Sequence, residues 1–335
     1  MKLNFAIVGL GNIGSRHFNV LQQLKEAAVT AVCDSNKKAL SPYKEQVAWC
    51  GSNFTDLLQQ SPIDVVNICT PHHIHAEMTI AALKAGKHVL VEKPMCLTVK
   101  EARQMIAAAN RYQRKLMVVK QNRYNPPVMA VQALLEKNKL GKIYDVQCNV
   151  WWNRRNDYYT KSNWRGRTAS EGGALYTQAS HFIDLLVWWF GEVTSSKTKL
   201  ATLTHPIETE DTGHAIVEFA SGVQGSINWN TNVFEKNFEG SVTIIAEKGT
   251  VKIGGAYLNE LEYWNVKNVP APSFDLSKQQ PNLYKSNYQG SSSNHDKLLQ
   301  AVIDLLLHQK KNYIVEGEEA LLTVKSIAKM YKGAY

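Results

Sequence analysis

The sequence predicts an α/β domain built on a doubly wound parallel sheet, followed by an α+β domain with an open, mainly antiparallel sheet. Three observations predict this fold class. β-Branched runs alternate with helical patterns in the first third of the chain, strands of alternating polarity follow, and 335 residues exceed one average domain. We place the domains at residues 1–122 and 123–335.

Five short apolar runs, each bounded by turn residues, predict the strands of the first domain. They cover residues 5–8, 29–33, 65–68, 88–91 and 116–119. Amphipathic stretches such as 101–111 separate them, as in βαβ units. Ligands of such sheets bind at the carboxyl ends of the strands.

The second domain is predicted from alternating strands, which are typical of an antiparallel sheet with one buried face. They cover residues 144–152, 212–219, 224–229, 242–247 and 250–253. Residues 269–293 are rich in Pro, Ser, Asn and Gln and predict a long surface loop. Helices over 295–309 and 318–332 are expected to close the chain.

The composition narrows the classes of partner. The formal net charge of +9 favours anionic partners, but no run of five Lys or Arg and no RNA-binding signature is present. We therefore expect an acidic small molecule and no nucleic acid. The longest apolar run, 185–190, is shorter than the ~20 residues of a membrane helix. Five cysteines without a CxxC pair indicate reduced thiols, so we expect a cytoplasmic protein away from the membrane.

A glycine fingerprint, Gly9-Leu10-Gly11-Asn12-Ile13-Gly14, follows the first strand and opens a helix. Gly9 permits the tight turn, Gly11 lets the backbone approach a pyrophosphate, and Gly14 lets the helix pack closely on the strand. The helix N-terminus, including Asn12 and Ile13, supplies amides for the anion. The alternative is a glycine-rich turn without a ligand.

A carboxylate follows the second strand at the position where a ribose would lie. Asp34 stands twenty residues beyond Gly14, where it accepts hydrogen bonds from ribose hydroxyls and repels a 2′-phosphate. We therefore expect NAD. Lys37 and Lys38 leave NADP as a less favoured cofactor, and a solvated Asp34 is the alternative.

Several further stretches occur in one characteristic order. They are Asp64-Val65-Val66-Asn67-Ile68-Cys69-Thr70-Pro71, then His75, then Ala82-Leu83-Lys84-Ala85-Gly86-Lys87-His88-Val89-Leu90-Val91-Glu92-Lys93-Pro94, and Gly172-Gly173-Ala174-Leu175 before His181 and Asp184. Together they resemble the signature of the Gfo/Idh/MocA oxidoreductases. The resemblance implies a Rossmann domain for NAD or NADP, an α+β domain for a sugar-like substrate, and a homodimer or homotetramer.

Lys93 is the first catalytic candidate. It follows a strand whose carboxyl end faces the ligand crevice, and Pro94 restricts its backbone. The resemblance implies that this lysine touches both the substrate hydroxyl and the nicotinamide, whereas a surface lysine is the alternative. It also implies further cofactor contacts from Thr70, Pro71, His75, Glu92, Lys93 and Gln121.

The second candidate is His181, preceded by Thr177. If this segment is helical, Thr177, His181 and Asp184 share one face. A histidine takes up a hydroxyl proton near neutral pH, as alcohol oxidation requires, although a structural histidine is the alternative. The family usually has an aspartate four residues before the histidine. Here Thr177 stands in that place and is our third catalytic candidate, although it offers a hydrogen bond but no charge, which leaves the family's usual Lys/Asp/His triad open.

The surrounding residues are similar to one branch of the family, whose enzymes oxidise the 3-hydroxyl of UDP-N-acetylglucosaminuronate for surface polysaccharides. Several of these enzymes regenerate tightly held NAD by reducing 2-oxoglutarate. Arginine forks suit a pyrophosphate or carboxylate, and aromatic faces suit a base or sugar. The predicted substrate-binding residues are Arg123, Arg154, Tyr158, Trp164, Arg165, Gln178 and Asp184, with Arg123 the strongest candidate.

Other functions stay open at this point. The same fold would serve a free sugar, an inositol or a sugar phosphate, and a non-catalytic NAD-binding regulator is an alternative of another class. We expect no metal, because His72, His73 and His75 lack an HExxH motif or a matching set of carboxylates.

Overall fold

The computed structural model describes residues 2–60, 62–274, 281–283, 289–292 and 294–334. They form two compact units. Unit 1 comprises Met1–Lys120 and His295–Leu321, and unit 2 comprises Gln121–Asn294 and Leu322–Tyr335. Residues 295–321, which we assigned to the second domain, thus belong with the first.

The chain contributes sixteen strands and eleven helices among its described residues. The strands are β1 (Leu3–Val8), β2 (Ala27–Cys33), β3 (Trp49–Gly51), β4 (Val65–Ile68), β5 (His88–Val91), β6 (Leu116–Val118), β7 (Ile143–Trp151), β8 (Val193–Ala201), β9 (Thr212–Phe219), β10 (Gln224–Asn230), β11 (Glu239–Ala246), β12 (Gly249–Gly254), β13 (Glu260–Val266), β14 (Pro281–Leu283), β15 (Gln289–Ser292) and β16 (Val315–Glu316). The helices are α1 (Asn12–Leu21), α2 (Lys37–Leu40), α3 (Phe54–Leu58), α4 (His75–Lys84), α5 (Val99–Arg111), α6 (Pro126–Glu136), α7 (Asn156–Thr160), α8 (Ala174–Thr177), α9 (Ser180–Phe190), α10 (His295–His308) and α11 (Gly317–Lys332).

Unit 1 is built on a doubly wound sheet, as predicted. Its strand order is β16-β6-β5-β4-β1-β2-β3, and β1 to β6 run parallel. All four residues of β4 are buried, which is typical of a parallel strand covered by helices on both faces. The order reverses between β1 and β4, and the crevice at such a switch point is where these sheets bind ligands.

The returning part of the chain completes this sheet. Strand β16 pairs antiparallel with β6, and helix α10 packs against α1. The sequence analysis did not predict β16, because a strand of two residues is too short to show an alternating pattern. The edge strand β3, with three residues, is also too short and was missed as well.

Unit 2 contains the predicted open sheet, in the order β13-β12-β11-β7-β10-β9-β8. Its neighbours are antiparallel except for the parallel pair β7 and β10. Strand β9 shows the alternation clearly, because Ala215, Val217 and Phe219 are buried whereas His214 and Ile216 are exposed. The sequence missed β8, since its polar residues suit a sheet edge rather than the core.

Helix α9 is almost entirely buried, since nine of its eleven residues lie in the interior. Phe182 on this helix contacts Trp152 edge to face, with ring centroids 5.7 Å apart. An added side chain at Gly240 of β11 would meet the Phe182 ring. The helix therefore packs directly on the sheet and carries His181 and Asp184 into the interior.

The predicted loop over residues 269–293 contains a short antiparallel pair, β14 and β15. Residues 275–280, 284–288 and 293 of that prediction lie outside the described residues. Within the described part of the chain, no helix combines the length and apolar character needed to span a membrane.

Packing of α4 onto the sheet is testable at Leu83, which is fully buried. Leu83→Ala should lower the free energy of unfolding by about 2–5 kcal/mol, because it leaves a cavity. Lys84→Ala, at the exposed neighbouring position, should change it by less than about 0.5 kcal/mol. Urea unfolding followed by circular dichroism compares the two, and equal effects would show that this helix face does not support the core.

Candidate functional site

The turn between β1 and α1 fits a dinucleotide. A side chain at Gly14 would place its Cβ 1.8 Å from the Gly9 carbonyl oxygen, so helix and turn are in close contact. At Gly11, in contrast, a Cβ would meet no described atom within 4 Å. Gly11 is also the N-cap of α1, and no described side chain caps it. The first-turn amides are therefore available to an anion, with open space beside them.

Asp34 lies at the same turn, as predicted from its spacing. Its Oδ2 accepts a hydrogen bond from the Leu10 N–H at 2.6 Å, and its Oδ1 accepts one from the Asn36 N–H at 2.8 Å. These bonds fix the carboxylate beside the glycine fingerprint while leaving further lone pairs for ribose hydroxyls. The residues present thus fit the adenosine half of NAD.

The His75 side chain bridges, through hydrogen-bond contacts, the two loops that follow β4 and β5. Its Nδ1 lies 2.8 Å from the Pro94 carbonyl oxygen, and its Nε2 lies 2.8 Å from the Thr70 carbonyl oxygen. Burial lowers the pKa of His75, so the neutral ring donates to one carbonyl at a time. His75 therefore holds the Thr70-Pro71 turn beside the Lys93-Pro94 peptide, which is cis.

Glu92 supports the backbone of Lys93 from the interior. Its Oε2 accepts a hydrogen bond from the Lys93 N–H at 3.1 Å, and its Oε1 lies 3.1 Å from His17 Nε2. Burial raises the pKa of Glu92, but the hydrogen bond and charge of His17, together with His295 and the charge of Lys93, bring this pKa below its usual value. Glu92 was predicted as a cofactor ligand, and this stays a prediction. The contacts described here bind it to protein groups.

Two histidines in this cluster were missed by the sequence analysis. His17 lies on α1, and His295 begins α10 with its Nε2 4.0 Å from Glu92 Oε1. Burial, reinforced by the nearby His17, lowers the pKa of His295 to about 3, so its ring is neutral. The ligand atoms of these three residues lie within 4.8 Å of one another, which makes the group able to hold a cation. The expectation of no metal stays a prediction.

In unit 2, the segment before His181 is not one continuous helix. α8 ends at Thr177, and α9 begins at Ser180. Between them the Ala179 N–H bonds to the Ala174 carbonyl, five residues back, so the regular pattern of hydrogen bonds is interrupted. The Thr177 hydroxyl donates to the Gly173 carbonyl oxygen at 2.7 Å. His181 is 3% exposed, with its Nε2 3.3 Å from the amide nitrogen of Gln121. Gln121, expected at the cofactor, thus contacts the predicted base.

Arg123 and Asp184 form a buried ion pair. The Arg123 Nε donates to Asp184 Oδ2 at 2.8 Å, and Nη2 donates to Oδ1 at 3.1 Å. Thr323 donates to the same carboxylate at 3.2 Å, and the guanidinium lies 4.5 Å from the Trp188 ring centroid. Both were predicted to bind substrate, and this stays a prediction. Since the two are at most 2% exposed and engage each other, the structure favours a structural role.

The other five predicted substrate residues lie together. The Arg165 guanidinium is 4.0 Å from the Tyr158 ring centroid and 5.4 Å from that of Trp164. The Arg154 guanidinium lies 5.5 Å from the centroid of the same Tyr158 ring, and the Tyr158 hydroxyl accepts a hydrogen bond from Gln178 at 3.5 Å. We call Arg154, Tyr158, Trp164, Arg165 and Gln178 the arginine–aromatic cluster. Arg165 is half-buried, whereas Arg154 is 2% exposed and donates to the Asn153 carbonyl at 2.6 Å, so Arg165 is the more accessible of the two cations. Such cations and flat ring faces suit an anionic ligand that carries a sugar or base.

Two buried carboxyl groups, missed by the sequence analysis, flank this cluster. Glu210 accepts hydrogen bonds from the Ala174 N–H at 2.9 Å and the Tyr331 hydroxyl at 2.7 Å. It thereby fixes the start of α8, and burial raises its pKa. Glu171 accepts a hydrogen bond from the Gly166 N–H at 2.5 Å. Both stand outside helices and strands, where an acidic residue is ordinarily solvated, so no periodicity signals their burial.

Comparison with known proteins supports the two halves of this description. The family model "Oxidoreductase family, NAD-binding Rossmann fold" matches residues 3–120, and "GFO/IDH/MocA C-terminal domain" matches residues 128–252. A solved structure of the WlbA dehydrogenase from Bordetella pertussis, in complex with NADH and UDP-GlcNAcA, is 32% identical to this chain. The structural alignment covers 99% of this chain and 96% of the WlbA chain, with a TM-score of 0.88.

Two curated relatives are more distant. Oxidoreductase P35 of Formosa agariphila is 28% identical over 256 residues, which cover 75% of this chain and 78% of that protein. Levoglucosan dehydrogenase of Pseudarthrobacter phenanthrenivorans is 26% identical over 235 residues, which cover 63% of this chain and 60% of that protein.

The two glycines of the fingerprint should respond differently to an added methyl group. Gly11→Ala should fold normally but weaken NADH binding by tenfold or more, about 1.4 kcal/mol, because the methyl occupies the ligand's space. Gly14→Ala should lower the melting temperature, because its methyl meets the Gly9 carbonyl. NADH fluorescence titration and thermal melting separate the effects. Unchanged NADH affinity in Gly11→Ala would contradict a cofactor at this turn.

The role of Arg123 is tested by comparing single and double substitutions. Arg123→Ala should destabilise the protein by about 3–5 kcal/mol, because it leaves the Asp184 charge buried and unpaired. Arg123→Met combined with Asp184→Leu should recover most of that loss. Chemical unfolding measures both, and a stable Arg123→Ala variant that binds substrate weakly would instead support direct substrate binding.

Proposed function

The chain belongs to the Gfo/Idh/MocA family of oxidoreductases, and we propose that it oxidises the 3-hydroxyl of UDP-N-acetylglucosaminuronate. The arginine–aromatic cluster is the observation that carries this proposal, because it gathers two cations and three flat or amide-bearing side chains in unit 2. The likeness to a dehydrogenase solved with NADH and UDP-GlcNAcA supports the same choice of substrate.

The glycine fingerprint and Asp34 are the groups that would hold NAD. The first-turn amides of α1 would bind its pyrophosphate, and the Asp34 carboxylate would bind a ribose. When bound, NAD supplies the acceptor for a hydride. The protein's own residues must then orient the sugar and manage the hydroxyl proton.

His181 and Lys93 take the catalytic roles in this proposal. His181 removes the hydroxyl proton while the carbon gives up its hydride, so that the alcohol becomes a ketone. The amide of Gln121 orients its ring. Lys93, held by Glu92 through its backbone, stabilises the negative charge that develops on the oxygen. Thr177 keeps its hydroxyl on the Gly173 carbonyl and supports the turn before the base.

In this proposal the arginine–aromatic cluster binds the anionic groups of the substrate. Arg154 and Arg165 would pair with the pyrophosphate or the uronate carboxylate, and the Tyr158 face would pack against a ring. Gln178 is placed to donate to a sugar oxygen. We further propose that 2-oxoglutarate reoxidises the cofactor and that the protein works as a homodimer or homotetramer in surface-polysaccharide synthesis.

The substrate proposal is tested by a matched set of sugars. UDP-N-acetylglucosaminuronate should reduce NAD at least about tenfold more efficiently than UDP-N-acetylglucosamine, which lacks the carboxylate, because one lost charged contact costs about 1.5–3 kcal/mol. Free glucuronate and levoglucosan should be poorer still. Formation of NADH is followed by absorbance, and preference for a free sugar would overturn the substrate. Bound cofactor that no sugar reduces would favour a regulator.

The catalytic roles are tested by Lys93→Met and His181→Asn. Each should lower kcat by about 10²–10⁴-fold, the usual contribution of a proton-transfer or charge-stabilising group. NADH affinity should change by less than about threefold, about 0.7 kcal/mol. Lys84→Ala, on the exposed face of α4, serves as the control. Near-normal turnover in either variant would remove that residue from the mechanism.

A further inference from the structure

Three buried side chains from distant parts of the sequence meet inside unit 1. They are His17 on α1, Glu92 directly after β5, and His295 at the start of α10. Each offers one ligand atom, and these atoms lie within 4.8 Å of one another. We call these three residues the histidine–glutamate cluster. The proposed function gives no role to either histidine.

The side chain of His295 is the feature that points to a ligand. Neither of its ring nitrogens has a hydrogen-bond partner among the described residues, although His295 is only 1% exposed. Buried polar groups in folded proteins are nearly always bonded, because an unmade hydrogen bond costs free energy. Its Nε2 lies 4.0 Å from Glu92 Oε1, which exceeds hydrogen-bond distance. A metal ion bound between these two atoms would satisfy both.

The spacing of the ligand atoms is close to that of a tetrahedral zinc site. Bonds of about 2.0–2.1 Å to zinc place neighbouring ligand atoms about 3.3 Å apart in a regular tetrahedron. His17 Nε2 and Glu92 Oε1 are already 3.1 Å apart. His295 Nε2 has to approach Glu92 by less than about 1 Å from its present 4.0 Å to reach the same spacing. A small contraction of the cluster therefore gives zinc geometry.

The far side of the His17 ring is supported in the way that is typical of metal-binding histidines. Its Nδ1 lies 3.2 Å from the side-chain nitrogen of Asn67 and 3.7 Å from Cys69 Sγ. The Asn67 side-chain oxygen has no hydrogen-bond partner among the described residues. If this amide turns over, its oxygen accepts the Nδ1–H of His17, and the lone pair on Nε2 then faces the cluster. Cys69 contacts Nδ1 rather than Nε2, which places it outside the ligand set.

The chemistry of the donor atoms selects the class of metal. Two imidazoles and one carboxylate form a ligand set of Zn²⁺, whereas Mg²⁺ and Ca²⁺ prefer oxygen ligands alone. Fe²⁺ is held by the same ligand set, but sites of nitrogen and oxygen ligands generally bind Zn²⁺ more tightly. We propose that the histidine–glutamate cluster is a binding site for one Zn²⁺ ion. This proposal replaces the expectation of no metal, which rested on a different group of histidines.

A bound ion would join three segments of unit 1. It would link the start of α10 to α1, against which α10 packs, and to the residue that follows β5. Glu92 can bind the ion through Oε1 while its Oε2 keeps the hydrogen bond from the Lys93 N–H at 3.1 Å. Because all three ligands are in place only in the folded chain, binding should stabilise the fold.

Zinc binding is measured on the full chain in the absence of any sugar, so its outcome is independent of the proposed function. The protein is stripped of metal with a chelator, and a chromophoric chelator then competes with it for Zn²⁺. One equivalent should bind per chain, and the melting temperature should rise with Zn²⁺ concentration but not with Mg²⁺. No zinc binding, an equal rise with Mg²⁺, or tighter binding of Fe²⁺ would overturn the proposal.

His295→Gln is the informative variant, because this side chain has no hydrogen bond to a described residue that could be lost. Its affinity for Zn²⁺ should fall by at least about tenfold, the loss that follows removal of even an outer-shell partner. His308→Gln is the matched control, since His308 is an exposed residue at the other end of α10. This control should bind Zn²⁺ with wild-type affinity. Equal affinity in wild type and His295→Gln would show that the zinc lies elsewhere, and the proposal would fall.

A second measurement reports the ligands without any substitution. Co²⁺ is added in place of Zn²⁺, and its visible absorption distinguishes tetrahedral from octahedral coordination. A tetrahedral spectrum should saturate at one equivalent and disappear when Zn²⁺ is added. A purely octahedral spectrum would indicate ions bound loosely at the surface and would contradict a site at the histidine–glutamate cluster.

Discussion

The interior of unit 2 depends on one requirement, that a charge buried in an apolar helix must be paired. Helix α9 is buried along most of its length, yet it carries Asp184 in its middle. The fork of Arg123 meets that carboxylate with two hydrogen bonds. Because Arg123 belongs to the short segment Gln121–Tyr124, the pair also fixes that segment against α9. Gln121 is thereby held beside His181, so the packing of the core sets the orientation of the proposed base.

The features that the sequence predicted correctly are those in which local pattern and tertiary role agree. The strands β4 and β5 were predicted with their observed bounds, because their apolar runs lie between clear turn residues. The glycine fingerprint could be recognised for a similar reason, because the contact that requires it is local. A side chain at Gly14 would collide with the carbonyl of Gly9, only five residues away in the chain. The residues of the arginine–aromatic cluster do lie together, whereas their predicted role in substrate binding stays a prediction.

What the sequence did not reveal are pairings between distant positions. His17 and His295 meet at Glu92 from opposite ends of the chain, and nothing local to either residue signals that partner. Asp184 was assigned to substrate because a carboxylate on a helix face looks the same whether a ligand or Arg123 satisfies it. The start of α8 likewise depends on Glu210, which accepts the Ala174 N–H from 36 residues away. Such features follow from the three-dimensional balance of buried charge rather than from periodicity.

The late return of the chain to unit 1 has a consequence for biosynthesis. Strand β6 pairs on its outer edge with β16, and α1 is covered by α10, although β6 ends at Val118 and α10 begins only at His295. During translation, the first 120 residues leave the ribosome before β16 and α10 have been made. The edge of β6 is then unpaired, and the face of α1 that contacts α10 is exposed to solvent. The strands of the second sheet, residues 143–266, emerge in one uninterrupted stretch before the missing pieces are made. The nucleotide-binding unit, although most of it is made first, therefore stays incomplete until residue 321 has been made, and its uncovered edge is exposed while the whole second sheet is synthesised.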